Sequence, residues 1–318
     1  MLPPMSFSRL VLVNFAWSDL GAPAWRRIEA VSDSQVLIAE DSPALADALS
    51  DADGLLLKVG VGADRRCIEL APRLRYIGVL GTGYGRVDTA HAASRGITVC
   101  NVADYSTQAV AEFVFGVLLA HLRELGRARE RTRAGDLAGD SFAGSQIGSR
   151  TVGVVGLGNI GRRVARIAHA GFGARTLYWS HASRTDEPGI HRVELAELLR
   201  RSDIVSLHVQ HSPETEGLID HAALSAMRHD AIMVNTAPME IVSISALERR
   251  LATTGLTFIA DHADELAPAD AARLARHPNC LLYPPVAYRT REASAAKEDV
   301  FVSALEGYLA GAPVNRVA

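Results

Sequence analysis

The chain has 318 residues, 48% of them hydrophobic and 22% charged, with a formal net charge of −3 at pH 7. That length suits two ordinary domains with a sizeable apolar core. The near-neutral balance argues against nucleic acid or an acidic membrane surface as a partner.

In chain order, short apolar runs alternate with amphipathic stretches. RLVLVNF, SQVLIA, GLLLKV and RYIGVLGTG read as strands, as do TVGVVGLG, RTLYWS, DIVSLHV, AIMVNTA, LTFIADHA and CLLYP. Between them PALADAL, IELAPRL, VARIAHAG, VELAELLRR, HAALSAM and SALERRLATTG carry apolar residues at helical spacing. This alternation predicts an α/β protein of doubly wound parallel sheets covered by helices. One series runs from the N-terminus to about residue 105. A second opens near residue 150, after a Gly/Ser-rich loop, AGDSFAGSQIGSR. Between them TQAVAEFVFGVLLAHLRELGRARERTRAG reads as one long helix, apolar in its first half and arginine-rich in its second. REASAAKEDVFVSALEGYLAG reads as a last amphipathic helix.

Targeting and redox signals are sparse. The N-terminal stretch lacks the charged start, long apolar run and cleavage site of a signal peptide. The longest apolar run, FVFGVLLAHL, is too short to cross a bilayer. Cys67, Cys100 and Cys280 form no CxxC pair and no zinc spacing, which suits a reduced, cytoplasmic protein.

TVGVVGLGNIGRRVARIA carries Gly156, Gly158 and Gly161 as GxGxxG, directly after a strand and opening a helix. In that context the first glycine permits the tight turn and the second admits a pyrophosphate. The third lets helix and strand pack closely, and the helix N-terminus faces the phosphates. A glycine-rich turn with no ligand is the bland alternative. An acidic residue gripping the ribose 2′-OH of NAD is expected about 20 residues on. Instead RTLYWS ends at Ser180, followed by His181 and Arg184. That set suits a 2′-phosphate, so the reading is NADP preference with NAD possible. The rival is that Asp186 or Glu187 folds back to serve NAD.

Several stretches together resemble the D-2-hydroxyacid dehydrogenase family, in its hydroxypyruvate/glyoxylate reductase branch. They are YIGVLGTGYGRVDTAHAASRGITVCNV, YSTQAVAEFVFGVLLA, VGVVGLGNIGRRVARIA, SDIVSLHVQHSPETEGLID and AIMVNTA. The resemblance implies a flavodoxin-like substrate domain, residues 1–106 plus 291–318, and a Rossmann NAD(P)-binding domain, residues 107–290, with a cleft between. It also implies a small-molecule substrate and a homodimer formed through the region after Thr107. Backbone N–H groups of Thr82 and Gly83 would face a substrate carboxylate. Thr107, Asn159, Ile160, Val209, Thr236, Ala237 and Asp261 would join the glycines, Ser180, His181 and Arg184 around the cofactor.

Against that pattern, three positions differ. The arginine of the family's N-T-A-R-G falls at Pro238, its acidic residue at Leu266 and its catalytic histidine at Pro285. None of these side chains carries a proton or a charge. Candidates to stand in are Lys58, Tyr288 and Arg289, though each taken singly reads more readily as a solvated or packing residue. Tyr283, Glu240, His262, Asp264 and Glu265 lie close by in sequence, and a one-residue shift would bring Glu265 inward. The implied function is an NAD(P)H-dependent oxidoreductase acting on something other than a simple 2-hydroxy acid. The rivals are a non-catalytic nucleotide sensor or scaffold, and an inactive relic that binds no nucleotide.

Overall fold

A computed structural model describes residues 6–181 and 187–318. The chain divides into two compact units, residues 6–105 with 291–318 and residues 106–290 less the undescribed 182–186.

The first unit is built on five parallel strands: β1 (Leu10–Val13), β2 (Gln35–Ile38), β3 (Gly54–Lys58), β4 (Tyr76–Leu80) and β5 (Thr98–Cys100). Their spatial order is β2-β1-β3-β4-β5, the flavodoxin-like arrangement. β1, β4 and β5 are buried throughout, and the two longer ones, β1 and β4, read as apolar runs for that reason. The helix Arg291–Leu309 returns the chain to this unit and packs on β4, burying Phe301, Val302 and Leu305. Arg27 on the helix Ala22–Ala30 ties it down through Glu306 (2.7 Å) and Asp299 (2.7 Å).

The second unit has seven parallel strands: β6 (Thr151–Val155), β7 (Arg175–Trp179), β8 (Ile190–Arg192), β9 (Ile204–Leu207), β10 (Ile232–Asn235), β11 (Thr257–Ala260) and β12 (Cys280–Leu282). The order is β12-β11-β10-β9-β6-β7-β8, so strand order reverses between β6 and β9. Ligands of such sheets lie beyond the strands' C-terminal ends at that reversal.

Several elements depart from the sequence reading. β5 and β8 were absent from it; each has three residues, too few to show a period. The helices Ala22–Ala30, Thr89–Ser94 and Pro268–Leu274 were absent as well. The single long helix expected after Thr107 is two, Thr107–Leu122 and Leu125–Arg133, broken where Glu124 takes a left-handed φ of 51°. The first is buried on several sides and the second buries no residue, so the break frees the arginine-rich half from the core. No helix among the described residues is long and apolar enough to cross a membrane.

Candidate active site

The turn after β6 is shaped by what glycine lacks. Gly156 has φ +94°, and a Cβ there would stand 2.6 Å from the His208 carbonyl oxygen. A Cβ on Gly161 would stand 1.9 Å from the Gly156 carbonyl oxygen, so only glycine lets the helix Asn159–Arg166 lie this close to its strand. Gly158, the N-cap of that helix, faces open space. Strain-relieving glycines frame a third that meets nothing, which leaves a cradle at a helix N-terminus. The dinucleotide pyrophosphate fits that arrangement.

Other predicted cofactor residues gather around this turn. Trp179 at the end of β7 accepts from the Gly156 amide (2.8 Å). Ser180 follows it, buried, and His181 is exposed; Arg184 lies outside the described residues. Glu187, the rival partner for the ribose, is taken by Arg166 (2.8 and 2.9 Å) and Arg162 (3.4 Å). The Arg166 guanidinium holds its carboxyl below the usual range. Asn159 and Ile160 form the first helical turn. Thr107 opens the helix packed against it, and Gln108 there accepts from Arg163 (2.7 Å). Val209 would be 2.8 Å from a Cβ on Gly156, so it closes the turn from the β9 side.

Beyond β9 and β10 the hydrogen bonds run through side chains. His208 bridges Ser206 Oγ (2.8 Å, Nε2) and Thr236 Oγ1 (3.1 Å, Nδ1). Both ring nitrogens are thus engaged, and burial pushes the imidazole down to about 3. It is therefore a neutral, structural histidine at ordinary pH. Asn235 is fully buried; its Oδ1 accepts from the Ala237 amide (3.0 Å) and its Nδ2 donates to Met239 Sδ (3.3 Å). Pro238 is half-buried, while Met239 and Leu266 sink into one apolar core.

At β11 and β12, Asp261 is 1% exposed and receives the amides of Val286 (2.9 Å) and Ala287 (3.2 Å). That carboxylate sets the path of the loop carrying Pro285, Tyr288 and Arg289. Glu265 Oε2 accepts from the Met239 amide (2.9 Å), joining the loops after β10 and β11. Burial pushes the Glu265 carboxyl up, the Met239 amide and His262 oppose this, and Glu240 and Asp264 add to it. Tyr288 is half-buried with its ring parallel to His262, centroids 6.0 Å apart. Arg289 is exposed, its guanidinium 5.6 Å from the Tyr288 ring. In the sequence His262 is one of several polar residues beside the position of the family's acid, where a solvated or packing role is the bland reading; its signal is a histidine among three carboxylates in DHADE.

In the first unit, Lys58 at the end of β3 is paired with Asp19 (2.8 Å), which also accepts the Ala16 amide (2.6 Å). Thr82 follows β4 and donates to the Val102 carbonyl (3.0 Å); Gly83 beside it is exposed. No group of three or more His, Cys, Asp or Glu among the described residues could hold a metal ion.

Comparison with known proteins agrees with this geometry. The sequence pattern of "D-isomer specific 2-hydroxyacid dehydrogenase, NAD binding domain" matches residues 115–287. A glyoxylate reductase of Thermococcus kodakarensis is 36% identical over 211 residues, covering 63% of each chain. The match thus spans under two thirds of that relative. Among solved structures, an acyclic imino acid reductase in complex with NADPH and D-Arg superposes with a TM-score of 0.83 at 28% identity, over 98% of this chain and all of that one. A 2-hydroxyacid dehydrogenase of Ketogulonicigenium vulgare does so at 0.84 and 26%, over 100% of this chain and 99% of that one. A glycine cradle at the strand-order reversal of a seven-stranded parallel sheet, with an NAD-binding pattern running through it, places the chain in the D-isomer specific 2-hydroxyacid dehydrogenase family.

Proposed function

We propose that this chain is an NADPH-preferring oxidoreductase that reduces an imine, or a carbonyl other than a simple 2-keto acid. The observation that carries the reading is the pairing of a glycine cradle with apolar residues at Pro238, Leu266 and Pro285. Those are the positions where the resemblance expects the arginine, acid and histidine. Reduction of a 2-keto acid leaves an alkoxide that needs a proton and fixed positive charge, and a positioned acid contributes about 10²–10⁴-fold. An imine needs only one proton on nitrogen, and the iminium so formed becomes neutral on accepting hydride, with no developing negative charge for an arginine at Pro238 to hold. The 28% identical imino acid reductase, solved with NADPH, supports the same direction.

The residues around the turn would hold the cofactor: Gly156, Gly158, Asn159, Ile160 and Gly161 toward the pyrophosphate, Ser180, His181 and Arg184 toward a 2′-phosphate. Val209, Thr236, Ala237 and Asp261 would border the nicotinamide, with Thr107 at the neighbouring helix. The bound cofactor supplies the hydride. In this reading the first unit is the substrate-binding domain, with Thr82 and Gly83 toward the substrate carboxylate, and Lys58 facing it once released from Asp19. The protein would act in the cytoplasm as a homodimer. Light scattering at micromolar concentration checks the dimer, and a clean monomer mass counts against it.

The test is initial rates of NADPH and, separately, NADH oxidation with glyoxylate, hydroxypyruvate and pyruvate, each with and without methylamine. The keto acids alone should turn over far below the enzyme median of about 10 s⁻¹, and methylamine, which forms imines with them, should raise the rate. Median turnover of glyoxylate alone would sink the substrate assignment. Failure to bind either nucleotide would sink the whole reading.

A further inference from the structure

His262 is the least ordinary residue on the C-terminal edge of the second unit's sheet. Its backbone is left-handed, φ +64°, a strained conformation for a non-glycine residue that collects at functional sites. Asn235 is paired with Ala260 in the sheet, so Thr236 and Asp261 leave their strands side by side, and His262 comes next. Its side chain is 27% exposed, with Nε2 3.5 Å from Asp261 Oδ2. Nδ1 stands 3.7 Å from Glu265 Oε1 and 3.8 Å from Asp264 Oδ1.

These carboxylates are not equivalent. Asp261 is engaged by the amides of Val286 and Ala287. Asp264 is 57% exposed, where water screens it. Glu265 has one oxygen fixed by the Met239 amide and the other turned to the ring. The parallel Tyr288 ring covers one side of the imidazole. A histidine restrained by an aromatic face, with a fixed carboxylate at one nitrogen, is the arrangement of a general acid and its orienting partner. The separations are ion-pair distances, and such contacts tighten when ligand is bound.

Resting on the reductase reading above, we propose that His262 is the proton donor of the reaction, with Glu265 and Tyr288 as its positioning residues. A proton moves from the ring to the imine nitrogen or carbonyl oxygen as the C=N or C=O π electrons withdraw onto that atom. The hydride reaching the carbon comes from the reduced nicotinamide, which is oxidised. Glu265 returns a proton to the ring from water. Charged and titratable groups facing the ring are Asp261, Asp264 and Glu265 from its own loop and Tyr288 from the loop after β12; behind them Glu240 from the loop after β10 acts on Glu265, and Arg289 lies over the Tyr288 ring.

The experiment uses the full chain with NADPH and pyruvate plus methylamine. His262→Gln should lower kcat about 100-fold at pH 8 and leave NADPH affinity intact. The loss should shrink toward pH 6, where water protonates more of the imine. Glu265→Gln should lower kcat about tenfold with NADPH affinity unchanged. A cofactor-free arm uses protein labelled with ¹⁵N in its histidine rings. The ring signal that disappears in His262→Gln should move in Glu265→Gln and in Tyr288→Leu. Unchanged turnover in His262→Gln, an equal loss at both pH values, or an indifferent ring signal overturns the proposal. So does wild-type protein that binds NADPH yet reduces no imine formed from pyruvate. Protein that binds no NADPH overturns the reductase reading itself, and the proposal falls with it.

Discussion

The C-terminal edge of the second unit's sheet holds two regions built on opposite logic. Around β6 and β7 the work is done by missing atoms: Gly156 and Gly161 leave space that a single methyl group would fill. Around β10, β11 and β12 it is done by present ones: Asn235, Asp261 and Glu265 accept from backbone amides of the loops after these strands and fix their paths. A region defined by absent atoms tolerates one residue type and announces itself in the sequence. A region held by polar side chains beneath its loops can change what it displays above them.

The sharpest way to break this contrast is at the third glycine. Gly161→Ala sets a Cβ 1.9 Å from a carbonyl oxygen in rigid backbone. It should cost about 3 kcal/mol, in the range of severe core strain, read by denaturant unfolding. Gly158→Ala meets nothing and should leave folding intact while weakening NADPH binding about tenfold, or about 1.4 kcal/mol. If both variants fold and bind alike, the cradle is no cradle.

On the other side, Asp261→Ala strands the Val286 and Ala287 amides. The expected loss is about 2 kcal/mol, the cost of buried polar groups left unpaired. Proteolysis within residues 283–290 should speed up in this variant and stay slow in Gly158→Ala.

His208 lies on the border between the regions and supplies a pH test. Its ordinary value is 6.5 and burial takes it to about 3 in the fold. Below pH 6.5 the unfolded chain binds a proton that the native ring refuses. This contribution to stability is therefore whole above pH 6.5 and is lost as pH falls toward 3. The slope is up to about 1.4 kcal/mol per pH unit. His208→Gln should flatten that part of the unfolding profile measured from pH 7 to 4.

The smallest effect concerns the ribose. Ser180→Asp should turn a roughly tenfold preference for NADPH toward NADH, about 1.4 kcal/mol, in a fluorescence titration. Tighter NADH binding by the unmodified chain would falsify the assignment of Ser180.

The same division explains what the sequence discloses. Strands buried on both faces, such as Leu10–Val13 and Ile204–Leu207, show as apolar runs. Gly156, Gly158 and Gly161 were legible because spacing and backbone demand coincide. The break at Glu124 was not, because RELGRARE is made of helix formers save one glycine, and the turn answers to burial elsewhere. Nor could DHADE reveal its arrangement. Read locally it is a solvated acidic loop, and the Met239 amide and Tyr288 ring that organise it arrive from other strands.

The Asp261 carboxylate has a consequence for how this fold is remade. It grips Val286 and Ala287 by their amides, groups every residue but proline possesses, and ignores their side chains. Ala287 itself is 3% exposed and held small by packing, but the more open positions around it, 284–286 and 288–289, form a cassette on a fixed mount. A lineage, or an engineer, can swap the letters shown on that loop, proline for histidine or tyrosine for something new, without redrawing the backbone that carries them.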